Sequence, residues 1–453
     1  MSTKEKVLVK TYGCQMNDRD SEAVEMDLVK SGYEITAEES EADIIILNTC
    51  SVRDQAERKA LGKVGHLKAL RKNKPKLQVG VIGCMAQSRA DEIVEKNENV
   101  NFVAGTDQLH KIPELIDKAR SSEEALIETG LSRDIMERLD NHPEGQISAS
   151  IAIMRGCNEY CTYCIVPFTR GQEKSRTIAS IIAEVEALAK KGVREIMFLG
   201  QNITAYGLIE ARRNRTFNKE VSPFAELLRQ TAKIDGIKRI RFTSPHARYF
   251  NDDLINTIAN EPKICRGIHF PLQSGSDRIL KIMRRRHTAA EFLSWVNKLK
   301  ERVEGVTFST DLIVGFPGET EEDFQATRDL CNEIDFDQEF IFRYSTRKNT
   351  PAAQMPNQLD EDTKMERNQI LLKDLEERLI EKNQKRVGTI EEIMVEGVSK
   401  RNTERWTGRT TNYKIVIFEP QENIKVGDMI NVHIDRATQH ALYGSYLEHT
   451  SDN

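Results

Sequence analysis

The stretch "ISASIAIMRGCNEYCTYC", residues 147–164, joins an alternating apolar run to three cysteines at C-x3-C-x2-C spacing, Cys157, Cys161 and Cys164. The run reads as a β-strand. Further strand-like runs follow at 195–200 ("EIMFLG"), 239–244 ("RIRFTS"), 267–272 ("GIHFPL"), 306–316 ("VTFSTDLIVGF") and 338–345 ("QEFIFRYS"). Helical stretches over 177–191, 223–233, 252–260, 276–283, 289–302 and 321–334 separate them. Six βα units in a row predict a partial (β/α)6 barrel, with function at the C-terminal ends of its strands. The cysteines follow the first of those strands. A closed structural metal site takes four protein ligands, so three thiols leave a position open, as a catalytic metal site does. Thiolates in such numbers also suit iron–sulfur clusters. Structural zinc with a fourth ligand from elsewhere is the alternative. The nearest histidines, His142 and His246, do not stand at zinc-finger spacing.

Upstream, residues 5–118 repeat a shorter strand–helix rhythm. Strands are expected at "KVLVKTYGC", "ADIIILNTC", "QVGVIGC" and "NFVAG", with helices over about 17–31 and 54–71 and from Ala86. The continuous apolar run of "ADIIILNTC" is that of a strand buried on both faces. The pattern predicts a small open α/β domain with a parallel sheet. Cys14, Cys50 and Cys84 each stand just past the end of one of its strands. Ligands of open α/β sheets bind outside those carboxyl ends. Three thiols in one structural slot can therefore converge across sequence gaps of more than thirty residues. Three small buried hydrophobes would be the bland account.

Residues 119–146 are acidic and punctuated by Pro and Gly, as a linker is. Residues 360–386 read as one charged helix. From Val387 short alternating strands, "GTIEEIMVEG", "RWTGRTT", "YKIVIF", "DMINVHID" and "ALYGSYLE", predict a small antiparallel barrel of OB-like type. The domains are expected at 5–121, 143–375 and 378–447. No run of 18 apolar residues exists, so no membrane span is expected. The N-terminal segment has no apolar core of a signal peptide, which points to the cytoplasm. Eight cysteines in a reducing compartment suggest metal or catalysis before disulfides. A net charge of −5 leaves any polyanion to be held by local basic patches.

The C-x3-C-x2-C segment, with Tyr163 before its last cysteine and after the first strand of a βα barrel, resembles the radical S-adenosylmethionine (SAM) superfamily. The motifs "TYGCQMN" (11–17), "NTCSVR" (48–53), "GC" (83–84), "PLQSGS" (271–276) and "DLIVGFPGET" (311–320) narrow the resemblance to the methylthiotransferases. The C-terminal barrel resembles that family's TRAM RNA-binding module, and the likeness spans essentially the whole chain. "CQMN" and "NTCSVRDQAERKALGKV" are similar to the branch acting on N6-dimethylallyladenosine in tRNA. Branches acting on a ribosomal protein or on threonylcarbamoyladenosine tend to carry Pro-Lys-Asn or Lys-Val-Asn where this chain has Gln15, Met16 and Asn17.

The resemblance implies two [4Fe-4S] clusters, one on each cysteine triplet. At Cys157, Cys161 and Cys164 the open iron binds SAM, and reductive cleavage yields a 5′-deoxyadenosyl radical. At Cys14, Cys50 and Cys84 a sulfur is methylated by one SAM, and a second SAM supplies the radical for its transfer to C2 of the adenine. That C–H bond is aromatic and unactivated, so an ordinary acid or base cannot open it. Expected SAM contacts are Tyr163, Gly200, Gln201 and Asn202 in "LGQN", Ser244 in "TSPH", Gln273 and Ser274 in "PLQSG", and Ile313 and Gly315 in "IVGFPGE". Turn chemistry after a strand accounts equally for the Gly, Ser and Asn residues among them.

Implied partners are a tRNA anticodon stem-loop, an electron donor of flavodoxin or ferredoxin type and a cluster-repair or sulfur-delivery protein. Candidate RNA contacts are Arg284, Arg285 and Arg286 in "KIMRRRH", Arg213 in the basic 207–222 loop, and Arg405 and Trp406 in the last domain. A charged run is more often a solvated face. Cys265 and Cys331 read as packing residues. The rival function classes are another methylthiotransferase branch and a non-catalytic iron–sulfur RNA-binding protein; formation of 5′-deoxyadenosine separates the latter from an enzyme.

Overall fold

The computed structural model describes residues 4–51, 54–132 and 142–447. Val52 and Arg53 of the "NTCSVR" motif and 133–141 of the expected linker lie outside them. The first domain is a parallel sheet of six strands: β1 (Lys6–Tyr12), β2 (Glu34–Ile35), β3 (Ile44–Thr49), β4 (Gln78–Gly83), β5 (Phe102–Ala104) and β6 (Leu126–Glu128), in spatial order 2-1-3-4-5-6. Every residue of β3 and β4 is buried, because helices cover both faces. Helices Asp54–Asn73 and Cys84–Lys96 pack on Ile45, Leu47, Val79 and Val81, while Gln15–Lys30 and Ile112–Ala119 pack on Ile44, Ile46 and Phe102. The two edge strands were not expected. β2 is two residues long, too short to show an alternation, and β6 lies in the acidic stretch read as linker, where Leu126 packs on the same core as Phe102.

The second domain carries β7 (Ser148–Ala152), a short ribbon of β8 (Met154–Arg155) with β9 (Lys174–Ser175), then β10 (Glu195–Leu199), β11 (Arg239–Phe242), β12 (Gly267–His269), β13 (Thr307–Val314) and β14 (Gln338–Arg343). β7, β10 and β11 form one parallel sheet and β12, β13 and β14 another, bridged at Ile240 and Ile264. The result is an open arc of six parallel strands wrapped by helices. Caps set the helix starts. Thr288 with Glu291 and Thr320 with Asp323 form capping boxes, so helices Ala289–Arg302 and Glu321–Ile334 begin where the sequence signals them. Along β13, Phe308, Leu312 and Val314 pack outward against the helices, while Ser309, Asp311 and Ile313 are partly exposed to the lumen. Phe340 and Phe342 of β14 stand beside Asp311 and Ile313 on that inner face, 41% and 37% exposed. The inner faces of β13 and β14 are therefore only partly covered, unlike the packed interior of a closed barrel.

After the helix Glu361–Gln384, strands β15 (Ile390–Val398), β16 (Trp406–Thr410), β17 (Ile415–Phe418), β18 (Met429–Ala437) and β19 (Leu442–Tyr446) close into a barrel of order 15-16-17-19-18. Its pairs are antiparallel except β17 with β19. This barrel is seated at the N-terminal ends of the core strands. Arg239 donates to the carbonyls of Arg409 and Glu392, and Arg241 to those of Thr410 (2.8 Å) and Thr411 (3.0 Å). Both arginines are buried, and Arg241 also stacks on Tyr413.

Candidate functional site

Strands β1, β3 and β4 are neighbours, so Cys14, Cys50 and Cys84 follow adjacent strand ends on one edge of the first sheet. The turn over β1 and β3 is locked by amides. Asn17 donates to Asn48 Oδ1 (3.0 Å) and to the Thr49 carbonyl (2.9 Å), and Asn48 donates to the Asn17 carbonyl (2.9 Å). Gly83 has φ +94°, and a Cβ there would lie 2.4 Å from Asn48 Oδ1. Glycine at this turn lets Cys84 open its helix directly after β4, beside the end of β3. A hydrogen bond with Cys50 holds the Cys14 thiol down to about 5, aided by the Arg170 charge and by backbone N–H groups at the start of helix Gln15–Lys30. Burial pushes the Cys84 thiol up, and Arg170 opposes that shift.

Arg170 comes from the second domain. It is buried, and its Nη2 donates to Asn17 Oδ1 (3.2 Å) and Asp20 Oδ2 (3.0 Å), while Arg155 holds the other oxygen of Asp20. The two domains thus meet at the first cysteine site.

In the second domain the cysteine loop rises from the C-terminal end of β7. Gly156 (φ +78°) has the Gln172 carbonyl where a Cβ would stand, at 2.2 Å, and Cys157 N–H donates to the Gly171 carbonyl. Thr162 bonds the carbonyls of Met283 (3.1 Å) and Ile282 (3.0 Å). Burial pushes Cys157 and Cys164 up to about 12, so both stay protonated until a metal replaces the proton. Arg285 is buried with Nη1 3.9 Å from Cys161 Sγ, and donates through Nη2 to the Pro271 carbonyl. Beside it His246 and His287 meet edge to face at 5.5 Å. Burial and Arg285 drive His246 well below its ordinary value and bring His287 down to about 4, so both are neutral at pH 7.

The expected SAM residues divide. Gly200 packs under Met154, and Gln201 accepts from Gly156 N–H (2.7 Å), supporting the cysteine loop. Asn202 is buried with Nδ2 unpartnered. Ser244 and Gln273 sit at φ +60° and +74° past the ends of β11 and β12, and Ile313 packs with Tyr163. Gly315 (φ +70°) donates to Glu319 (2.7 Å). Ser274 is turned away: its hydroxyl meets Thr327 (3.2 Å) and accepts from Ser276 N–H.

Arg285 is a correction. Arg284 and Arg286 are exposed with left-handed φ of +59° and +56°, and between them Arg285 turns inward to the cysteine loop, where RNA does not reach. Arg213 is exposed. Arg405 pairs with Glu419 (2.8 Å), and Trp406 packs partly against the small barrel's own core, which limits it as a base platform. Cys265 and Cys331 are buried. Arg170 carried no motif of its own in the sequence, and Arg285 was singled out only as one of three arginines in a basic run.

Residues 151–331 match the Radical SAM superfamily, 6–105 the Uncharacterized protein family UPF0004 and 384–447 the TRAM domain. Proteins named tRNA-2-methylthio-N(6)-dimethylallyladenosine synthase align along nearly the whole chain. The one from Methylacidiphilum infernorum is 45% identical, covering 97% of this chain and 94% of its own; that from Alkaliphilus oremlandii is 43% identical, covering 98% and 93%. The chain belongs to the radical SAM methylthiotransferase family. Solved structures similar to this methylthiotransferase include a radical S-adenosylmethionine methyltransferase, TsrM, from Kitasatospora setae (TM-score 0.54, 15% identity, 78% of this chain and 74% of that one). Another is the cobalamin-dependent enzyme OxsB (TM-score 0.51, 12% identity, 83% and 56%). At those identities the likeness is one of fold.

A radical SAM enzyme works with a [4Fe-4S] cluster and SAM, and the donors fit: three buried or half-buried thiols per site, each site beside a buried arginine. No three His, Cys, Asp or Glu side chains among the described residues are set around a single ion. A four-iron cluster is a wider body that takes one thiolate per iron.

Proposed function

We propose that this methylthiotransferase places S–CH3 on C2 of an N6-dimethylallyladenosine next to the anticodon in tRNA. Cys157, Cys161 and Cys164 hold one [4Fe-4S] cluster for SAM. Cys14, Cys50 and Cys84 hold a second that carries the sulfur, with two SAM consumed per turnover. The observation that carries the reading is the pair of cysteine triads, each at the C-terminal edge of its own parallel sheet, with Arg170 of the core reaching into the other domain's triad. The names of the relatives support the substrate. When bound, the core cluster and SAM supply a carbon radical able to take an aromatic hydrogen.

The chain's own residues do the rest. Gln201 and Thr162 hold the cysteine loop, and Arg285 offsets negative charge beside Cys161. Tyr163, Asn202, Ser244, Gln273, Ile313 and Gly315 surround the place for SAM. The open lumen takes the base. Phe340 and Phe342 offer apolar surface for the branched dimethylallyl group. Asp311, 3.3 Å from His269 Nε2, offers an acceptor for the N6–H. A splayed-out base from a single-stranded loop can enter such an opening. Arg284, Arg286 and Arg213 are exposed candidates for the phosphates, and the last barrel adds a further RNA surface. The setting is the cytoplasm, with electrons from a flavodoxin- or ferredoxin-type donor and sulfur restored by a delivery protein.

An anaerobic assay with SAM and reductant tests this reading. An anticodon stem-loop bearing the dimethylallyl group should be methylthiolated, with C2 deuterium recovered in 5′-deoxyadenosine. Equal turnover of the unmodified loop would remove the substrate assignment.

A further inference from the structure

Arg170 is spent unevenly. Its Nη2 serves both Asn17 Oδ1 and Asp20 Oδ2, while Nη1 is buried with no hydrogen-bond partner. A buried donor without an acceptor is costly. In Arg285, Arg367 and Arg378 the buried nitrogen without a partner is Nε; in Arg170 it is a terminal nitrogen. A mere clamp between the domains does not need that nitrogen, since Nη2 and Arg155 already hold both oxygens of Asp20. The guanidinium lies against Cys84, with which it also makes a side-chain hydrogen bond, and against Cys14, close enough for its charge to act on both thiols. Three thiolates and an added sulfur anion in a buried place require a cation nearby. The first domain's own buried arginine, Arg19, faces Glu184 and His142 instead.

We propose that Arg170 is a positioning residue of the Cys14, Cys50 and Cys84 site, supplied by the core domain, whose free Nη1 donor holds a small anionic sulfur ligand such as sulfide or methanethiolate. The inference rests on the reading of that site as a second cluster with one open iron. It also gives a reason for the docking of the two domains: the sulfur site is complete only when the core lends it a cation.

The test uses the full chain with Cys157, Cys161 and Cys164 replaced by Ala, so that iron is confined to the first domain, and methanethiolate as the probe, followed by the electron paramagnetic resonance of the reduced cluster. Against this parent, Arg170→Gln should bind methanethiolate about tenfold more weakly at unchanged iron content. Asp20→Asn, which loosens the clamp and spares Nη1, should lose clearly less affinity than Arg170→Gln. Unchanged affinity in Arg170→Gln, or an equal loss in Asp20→Asn, overturns the proposal. If Arg170→Gln takes up no iron, Arg170→Lys decides, since it keeps the charge and loses the forked donor: several-fold weaker binding supports the proposal and full affinity overturns it. A parent that takes up no iron counts against the second cluster itself, and the inference falls with it.

Discussion

The two cysteine sites are built in opposite ways. Cys157, Cys161 and Cys164 lie in one loop, and their spacing is a property of eight consecutive residues. Cys14, Cys50 and Cys84 come from three strand ends more than thirty residues apart and meet only because β1, β3 and β4 are neighbours in a folded sheet. The first kind of site is written locally and then buried; the second is a product of topology. Their electrostatics differ too. Cys14 sits at a helix start and is held down to about 5 by Cys50, whereas Cys157 and Cys164 are pushed up to about 12 by burial.

The largest effect expected from this contrast follows removal of either triad. Replacing Cys157, Cys161 and Cys164 by Ala should halve the iron of the reconstituted protein from about eight and abolish SAM cleavage. Replacing Cys14, Cys50 and Cys84 should also halve the iron and abolish methylthio transfer, yet leave uncoupled 5′-deoxyadenosine formation. Iron and nucleoside analysis of the two variants reads both outcomes, and an unchanged iron count in either breaks the two-site account. A sharper test leaves every cysteine in place. The Phe102 ring fills the space above Gly80 in the first sheet, with ring atoms 2.2 Å from where a Cβ would stand. Gly80→Val should disrupt that sheet, at a cost of about 1–3 kcal/mol or more, and lower the iron bound by the first domain while SAM cleavage at the core continues.

Smaller effects concern the lumen. Phe342→Ala and Phe340→Ala should each reduce selectivity for the dimethylallylated loop over the unmodified one by about tenfold, since an apolar group of that size gains roughly 1.5–3 kcal/mol on full burial. Competition between the two RNAs measures it. The mildest test leaves activity aside. In the metal-free protein at pH 7, iodoacetamide should label Cys14 first, because it is thiolate above about pH 5 while Cys157 and Cys164 remain thiols. The Cys14 rate should fall about tenfold per pH unit below that value. Peptide mass spectrometry showing a core cysteine labelled first would contradict the electrostatic contrast.

Much of this was legible in the sequence because it rests on short-range physics. Thr288, Thr320 and Asn251 cap helices whose starts could be read from the cap alone. The apolar runs of β3 and β4 announce burial on both faces, and the common position of three cysteines after strands announces their convergence. What escaped depends on tertiary context. β2 and β6 are two and three residues long, and pairing to a sheet edge makes them strands. Arg285 looks identical to its neighbours in a basic run until the backbone turns it inward. Ser274 resembles a ligand residue until helix Glu321–Ile334 supplies Thr327. Arg170 acts in a domain other than its own, which no local pattern can announce.

The seating of the last barrel has an evolutionary side. Arg239 and Arg241 of the core grip it chiefly by main-chain carbonyls of Glu392, Arg409, Thr410 and Thr411. A joint made to the backbone does not depend on which side chains the barrel displays elsewhere. Its outer surface is therefore free to drift, and to be retuned toward one set of transfer RNAs or another, without loosening its hold on the enzyme. Cutting the barrel away would do the opposite, stripping Arg239 and Arg241 of those carbonyls and leaving Arg241 with Glu195 of the core (2.7 Å).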